Sequence, residues 1–268
     1  MYKNGHMGMS LLLSSPIVAL LLVLDLYFLA GVFVFTTVVW CSVPDVDMTL
    51  KNYDSLGIRT VPILLYHYVL VTRLALVFHN LAGKHFMERV EPEPQRGFTI
   101  SHRGITHTFW WASAFGVLFG GLFATILGLL TVFLSPDIVT VIYGDILNTS
   151  FIPAVLLVTL AGFCAVSFHI VGDVFTPTGI HYWTLRTDYG YSFNQFYAKN
   201  EVANRSAFPI GAMGFIYALF FGFSFGEIDH IYLVGGFIAL FVIGIPIWLV
   251  FVRTRIGRWF YTVYDFFN

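Results

Sequence analysis

The chain has 268 residues, of which 57% are hydrophobic and only 11% charged; soluble domains average about 25% charged residues. A net charge of -1 leaves no basic surplus and excludes nucleic-acid binding as a leading reading. The two scattered cysteines, Cys41 and Cys164, exclude a disulfide scaffold or zinc ribbon and read as reduced packing residues.

Long apolar runs place the chain among polytopic membrane proteins. The first run, Met9–Trp40, would be about 48 Å long as one helix at ~1.5 Å per residue, too long for a ~30 Å hydrocarbon core. Asp25 lies in its middle, so two helices are expected, Met9–Leu24 and Leu26–Trp40. No small-residue cleavage site follows the first, which reads as an uncleaved span. Residues 48–101 form a polar insertion containing one apolar stretch, Val61–Leu81. Arg73 in the middle of that stretch favours an amphipathic helix on the membrane face over a further span. Glu91-Pro92-Glu93-Pro94 follows as an extended linker. Four clear spans come next: Phe109–Phe133, Phe151–Val171, Ala207–Phe225 and Ile231–Val252. The spacings Gly116/Gly120 and Gly222/Gly226 suit close helix approach.

The expected fold is therefore all-α: a transmembrane bundle of about six spans plus one amphipathic helix, forming a single domain over 1–268. Lys and Arg are concentrated in Cys41–His107, Gly172–Ser206 and the tail, and are missing from Leu134–Ser150 and Gly226–His230. By the positive-inside rule the basic segments and both termini face the cytoplasm. Arg186 and Arg205 read as residues of this topological kind.

Three motifs carry chemistry. Pro44-Asp45-Val46-Asp47 follows an apolar helix, and alternate residues of an extended turn point to one side. Two carboxylates there suit a divalent cation. In His102-Arg103-Gly104-Ile105-Thr106-His107-Thr108, the two histidines stand about 140° apart on an ideal helix. Gly104 breaks that helix, and Thr106 is the expected N-cap of the next span. In His169-Ile170-Val171-Gly172-Asp173, the i, i+4 spacing sets His169 and Asp173 on one helix face. Pro177 and Gly179 then stop the helix. All three motifs fall at cytoplasmic ends of spans, where ionisable groups at membrane depth read as functional. Six O/N ligands exceed the three of a usual catalytic zinc, which favours a two-metal site. Mixed His/Asp ligation suits Zn, with Mn or Fe as alternatives. Arg103, between two candidate ligands, suits the clamping of an anionic oxygen, and Asp45 is the carboxylate placed with it in a catalytic role.

At these residues the chain resembles the LexA-binding, inner-membrane-associated metal-dependent hydrolase family of bacteria and archaea. The resemblance rests on Pro44 to Asp47, His102 to Thr108 and His169 to Gly179, and covers most of the chain. It implies a further ligand, His6, just before the first helix. It also gives weight to Asn200-Glu201-Val202-Ala203-Asn204 before the fifth span. The insertion 48–101 departs from the short link of many members.

The expected function is a membrane-bound, metal-dependent hydrolase of a phosphoester or lipid head group, in the plasma or inner membrane. Two alternatives come from other classes. One is a regulatory or scaffold protein that binds a cytosolic partner through the insertion. The other is a divalent-cation transporter, which the shortage of polar residues within the spans disfavours.

Overall fold

The computed structural model describes residues 3–47, 107–133, 151–176, 193, 195 and 200–254. Among them the chain is helical. The elements are α1 (Lys3–Val23), α2 (Tyr27–Val39), a 3-10 segment (Trp40–Asp47), α3 (Phe109–Phe133), α4 (Phe151–Val174) and α5 (Glu201–Ser224). Last come α6 (His230–Ala239), a π turn (Leu240–Gly244) and α7 (Ile245–Arg253), which run as one apolar rod. Five helices are long and apolar enough to cross a membrane: Asn4–Val23, Phe109–Leu130, Ile152–Val174, Glu201–Ser224 and His230–Arg253. With 13 residues, α2 covers about 20 Å, short of the ~30 Å core on its own. The stretch Val61–Leu81 and the Glu91–Pro94 linker lie outside the described residues.

Helix α1 begins at Lys3, six residues before the start expected from hydropathy, and it runs through Pro16. Proline lacks the N–H that would bond the carbonyl four residues back, which here belongs to Leu12. The Ser15 hydroxyl donates to that carbonyl instead, at 2.6 Å. A freed backbone acceptor is thereby satisfied inside an apolar segment, where water cannot do it.

The break between α1 and α2 falls at Asp25, whose φ of 57° is left-handed. Leu26 N donates to Leu21 O and Asp25 N to Leu22 O, the paired bonds of a Schellman C-cap. Glycine usually fills the left-handed position. Asp tolerates it through local hydrogen bonding, and here its Oδ1 accepts from the Tyr27 hydroxyl at 2.8 Å.

Helices α1 and α5 pack backbone against backbone. A Cβ on Gly8 would collide with the main chain of Ala207 and Phe208, and one on Gly211 with that of Gly8. Further along, Gly214 faces Leu12 and Gly222 faces Leu22, so the two helices run parallel and their N-termini share one end. Helices α3 and α4 are antiparallel, with Gly116 and Gly120 seated on Thr159 and Gly116 also on Phe163. The α3 start therefore lies beside the α4 end. Of the second glycine pair, Gly222 packs. Gly226 has φ +98° and no neighbour around its Cβ position, so it serves the turn before α6 and not a helix contact.

The 3-10 segment belongs to the same end. Val43 and Trp40 share a buried apolar cluster with Trp111 and Ala112 of α3 and with Ile170 and Val174 of α4. The α6–α7 rod lies antiparallel to α5, where Trp248 Nε1 donates to Ser206 Oγ at 2.7 Å in a buried contact. Pro246 sits just past the π turn and accounts for it, since the preceding turn must widen around a proline ring. Large apolar side chains face outward along the long helices, among them Val117, Phe133, Ile152, Met213 and Ile231. Such a surface suits hydrocarbon as the surrounding medium.

Gly211→Val drives a branched side chain into the Gly8 carbonyl and is expected to destabilise the bundle by at least about 1–3 kcal/mol. Thermal unfolding in detergent reads this as a lowered midpoint. Gly235→Ala, at a helical site with nothing around its Cβ position, should leave the midpoint unchanged or raise it.

Candidate metal centre

Two helices and the residue ahead of a third bring four ionisable side chains to one end of the bundle. Helix α4 carries His169 and Asp173 one turn apart on a single face. Asp173 is 1% exposed and His169 0%. Helix α1 contributes His6 and the residue just before α3 contributes His107, both equally buried. His6 lies inside α1, not ahead of it, because the helix starts at Lys3. The Gly8 contact with α5, half a turn on, holds this part of α1 in place.

His107 owes its position to a cap. Thr108 Oγ1 accepts from Trp111 N at 3.3 Å and Thr108 O from Ala112 N at 3.0 Å. Thr108 is thus the N-cap of α3, two residues later than the expected Thr106. The reason is geometric: a capping hydroxyl serves the N–H three residues on, and α3 begins at Phe109. His107 lies in a 3-10 turn just ahead of this cap, and its ring meets His169 of α4. At the other end of the motif, Thr176 closes α4, its Oγ1 donating to Asp173 O at 2.7 Å.

The three imidazoles converge on one carboxylate. His6 Nε2 is 3.5 Å from Asp173 Oδ1, His107 Nε2 3.5 Å from Oδ2, and His169 Nε2 3.4 Å from Oδ2. The His6 and His169 rings stack at 3.6 Å and 9°, and His107 meets His169 edge-on at 5.2 Å and 68°. Ligand atoms of His6, His169 and Asp173 all lie within 4.8 Å of one another.

These separations are longer than the roughly 2.7–3.2 Å of a good N–H···O bond. They match another geometry. Two ligands on a tetrahedral ion, each about 2.0–2.2 Å from it, stand about 3.3–3.6 Å apart. The donor set, imidazole plus carboxylate, is that of zinc and similar divalent ions. A carboxylate so buried also requires nearby positive charge. The residues present therefore fit a divalent cation.

The other expected site residues divide in two groups. Asp45 and Asp47 belong to a 3-10 segment and not to the expected extended turn, so the alternation that would aim both to one side does not apply; the segment's backbone lies at the same end of the bundle as the cluster. His102 and Arg103, like Arg186, lie outside the described residues. Arg205 pairs with Glu201 on the exposed face of α5 at 3.8 Å, a surface role. Asn200 caps α5, its Oδ1 accepting from Ala203 N at 3.0 Å, and buried Asn204 donates from Nδ2 to Asn200 O. Ser10, one turn from His6 on α1, is buried as well.

Thr108→Ala removes the α3 cap and should cost about 1 kcal/mol, read as a lower unfolding midpoint in detergent. Thr106→Ala should lack that cap penalty, and an equal loss at Thr106 would contradict the assignment.

No family model, curated protein or solved structure matches the chain.

Proposed function

We propose that the chain is a membrane-bound, metal-dependent hydrolase acting on a phosphoester or lipid head group at the cytoplasmic face. The observation that carries this reading is the convergence of His6, His107 and His169 on the buried Asp173 carboxylate. Ionisable groups gathered at membrane depth are rare and read as functional by default. A bound divalent ion supplies Lewis acidity and an activated water there.

The remaining parts of the proposal follow the sequence. Asp45, Asp47 and His102 complete the ligand set and supply the donors that a second ion needs. Arg103 clamps an anionic oxygen of the substrate, a task suited to its planar fork of donors. The resemblance to the LexA-binding, inner-membrane-associated hydrolase family supports the same assignment. In the membrane, α2 with its 3-10 continuation acts as a sixth span. Both termini then lie in the cytoplasm with the cluster. The parallel α1–α5 and antiparallel α3–α4 pairs support this arrangement, since they put the start of α1, α3 and α5 and the end of α4 on one side.

Metal analysis of the purified full chain tests the reading. The protein should carry Zn, Mn or Fe, and His107→Ala should lose most of it together with hydrolysis of phosphoester lipids in vesicles. Arg103→Ala should retain the metal and lose turnover, since guanidinium is no ligand. Wild-type protein that binds no divalent ion ends the proposal. Reporter fusions at residues 1 and 268 should both report the cytoplasm, and opposite signals would remove the six-span topology.

A further inference from the structure

Proximity alone groups His6, His169 and Asp173 as a ligand set. The ring planes argue otherwise. An imidazole lone pair lies in the plane of its ring, so a well-bound ion lies in that plane too. The His6 and His169 rings are nearly parallel, with centroids 3.6 Å apart. An ion shared between them would sit about 1.8 Å out of each plane, most of a ~2.1 Å bond. Neither lone pair would point at it.

The crossed planes of His107 and His169 leave that condition open to them. Two imidazoles on one tetrahedral ion have centroids about 5 Å apart, given ~2.0–2.1 Å bonds. The observed pair stands at 5.2 Å with planes crossed by 68°. Both Nε2 atoms also face the same oxygen, Asp173 Oδ2, at 3.5 and 3.4 Å. His6 faces the other oxygen, Oδ1.

We propose that His107 Nε2, His169 Nε2 and Asp173 Oδ2 ligate the ion, and that His6 stays outside its ligand shell as a positioning residue. The inference rests on the metal reading above and assigns roles within it. His6 does two things. Its ring stacks on His169 and fixes that ring's plane. Its Nε2, after a closure of about half an ångström to hydrogen-bond length, holds Oδ1 and so keeps the carboxylate on the ion through Oδ2 alone. Partners of this kind orient ligands and tune the metal without touching it.

Cobalt(II)-loaded full-length protein provides the test. A tetrahedral Co(II) site absorbs strongly in the visible range, and the band weakens when a freed carboxylate becomes bidentate and raises the coordination number. His107→Phe and His169→Phe should lose stoichiometric cobalt. His6→Phe keeps an aromatic ring on His169 but offers no hydrogen bond. It should keep one equivalent at saturation, with affinity lowered about 10–100-fold and a weakened visible band. His6→Gln returns an N–H donor near the Nε2 position and should restore the band. Loss of cobalt from both His6 variants as complete as from His107→Phe overturns the assignment and makes His6 a ligand. A wild-type protein that takes up no cobalt and no zinc overturns the metal reading itself.

Discussion

The Asp173 carboxylate, buried at one end of an apolar bundle, is the group on which the local architecture depends. A charge there is costly unless positive charge or strong donors meet it. The chain meets it from three directions. Helix α4 supplies His169 a turn earlier, α1 brings His6, and the residue ahead of α3 brings His107. Each approach has its own support. The Gly8–Gly211 contact fixes α1 against α5, the Thr108 cap fixes the start of α3, and Thr176 closes α4 just past Asp173.

In hydrocarbon, helices gain no hydrophobic drive from associating, so close packing and polar bonds must hold them. This chain uses both means at defined places. Small residues allow main-chain contact between α1 and α5 and between α3 and α4. Helical hydroxyls are mostly turned back on their own backbone, as at Ser14, Ser15, Thr37 and Thr159. The Ser15 bond has a specific purpose, because it takes the carbonyl that Pro16 leaves open. Among the described residues these hydroxyls are thus held by their own helices, whereas Ser10 and Ser167 are buried without such a bond.

Much of this was legible in the sequence, for definite physical reasons. The lengths of the apolar runs located α3, α4 and the last rod, because hydropathy alone sets a spanning helix. The His169–Asp173 pair was legible because i, i+4 spacing is a local property of one helix. Asp25 was legible as a break, though not as a left-handed C-cap. Other features depend on contacts between distant residues. The true start of α1 at Lys3, which draws His6 into the helix, lies in a polar segment that hydropathy passes over. Gly8 and Gly211 lie 203 positions apart and share no local pattern, so the closest helix contact was invisible while Gly222/Gly226 suggested one that is half a turn residue. Thr106 and Thr108 offer equal caps on paper. Only the path of His107 toward α4 selects Thr108.

The arrangement of helices also explains why the four groups are not equivalent. His107, His169 and Asp173 ride on the α3–α4 pair, whose glycine seam holds the two helices in register. His6 rides on the α1–α5 pair. Asp173 faces both sides, with Oδ2 toward its own pair and Oδ1 toward α1. On the proposed assignment, an ion on the Oδ2 side would draw its ligands from one helix pair, with His6 reaching across from the other. The parallel planes of His6 and His169 are the structural mark of that division, since stacked rings can brace each other but cannot aim at a common point.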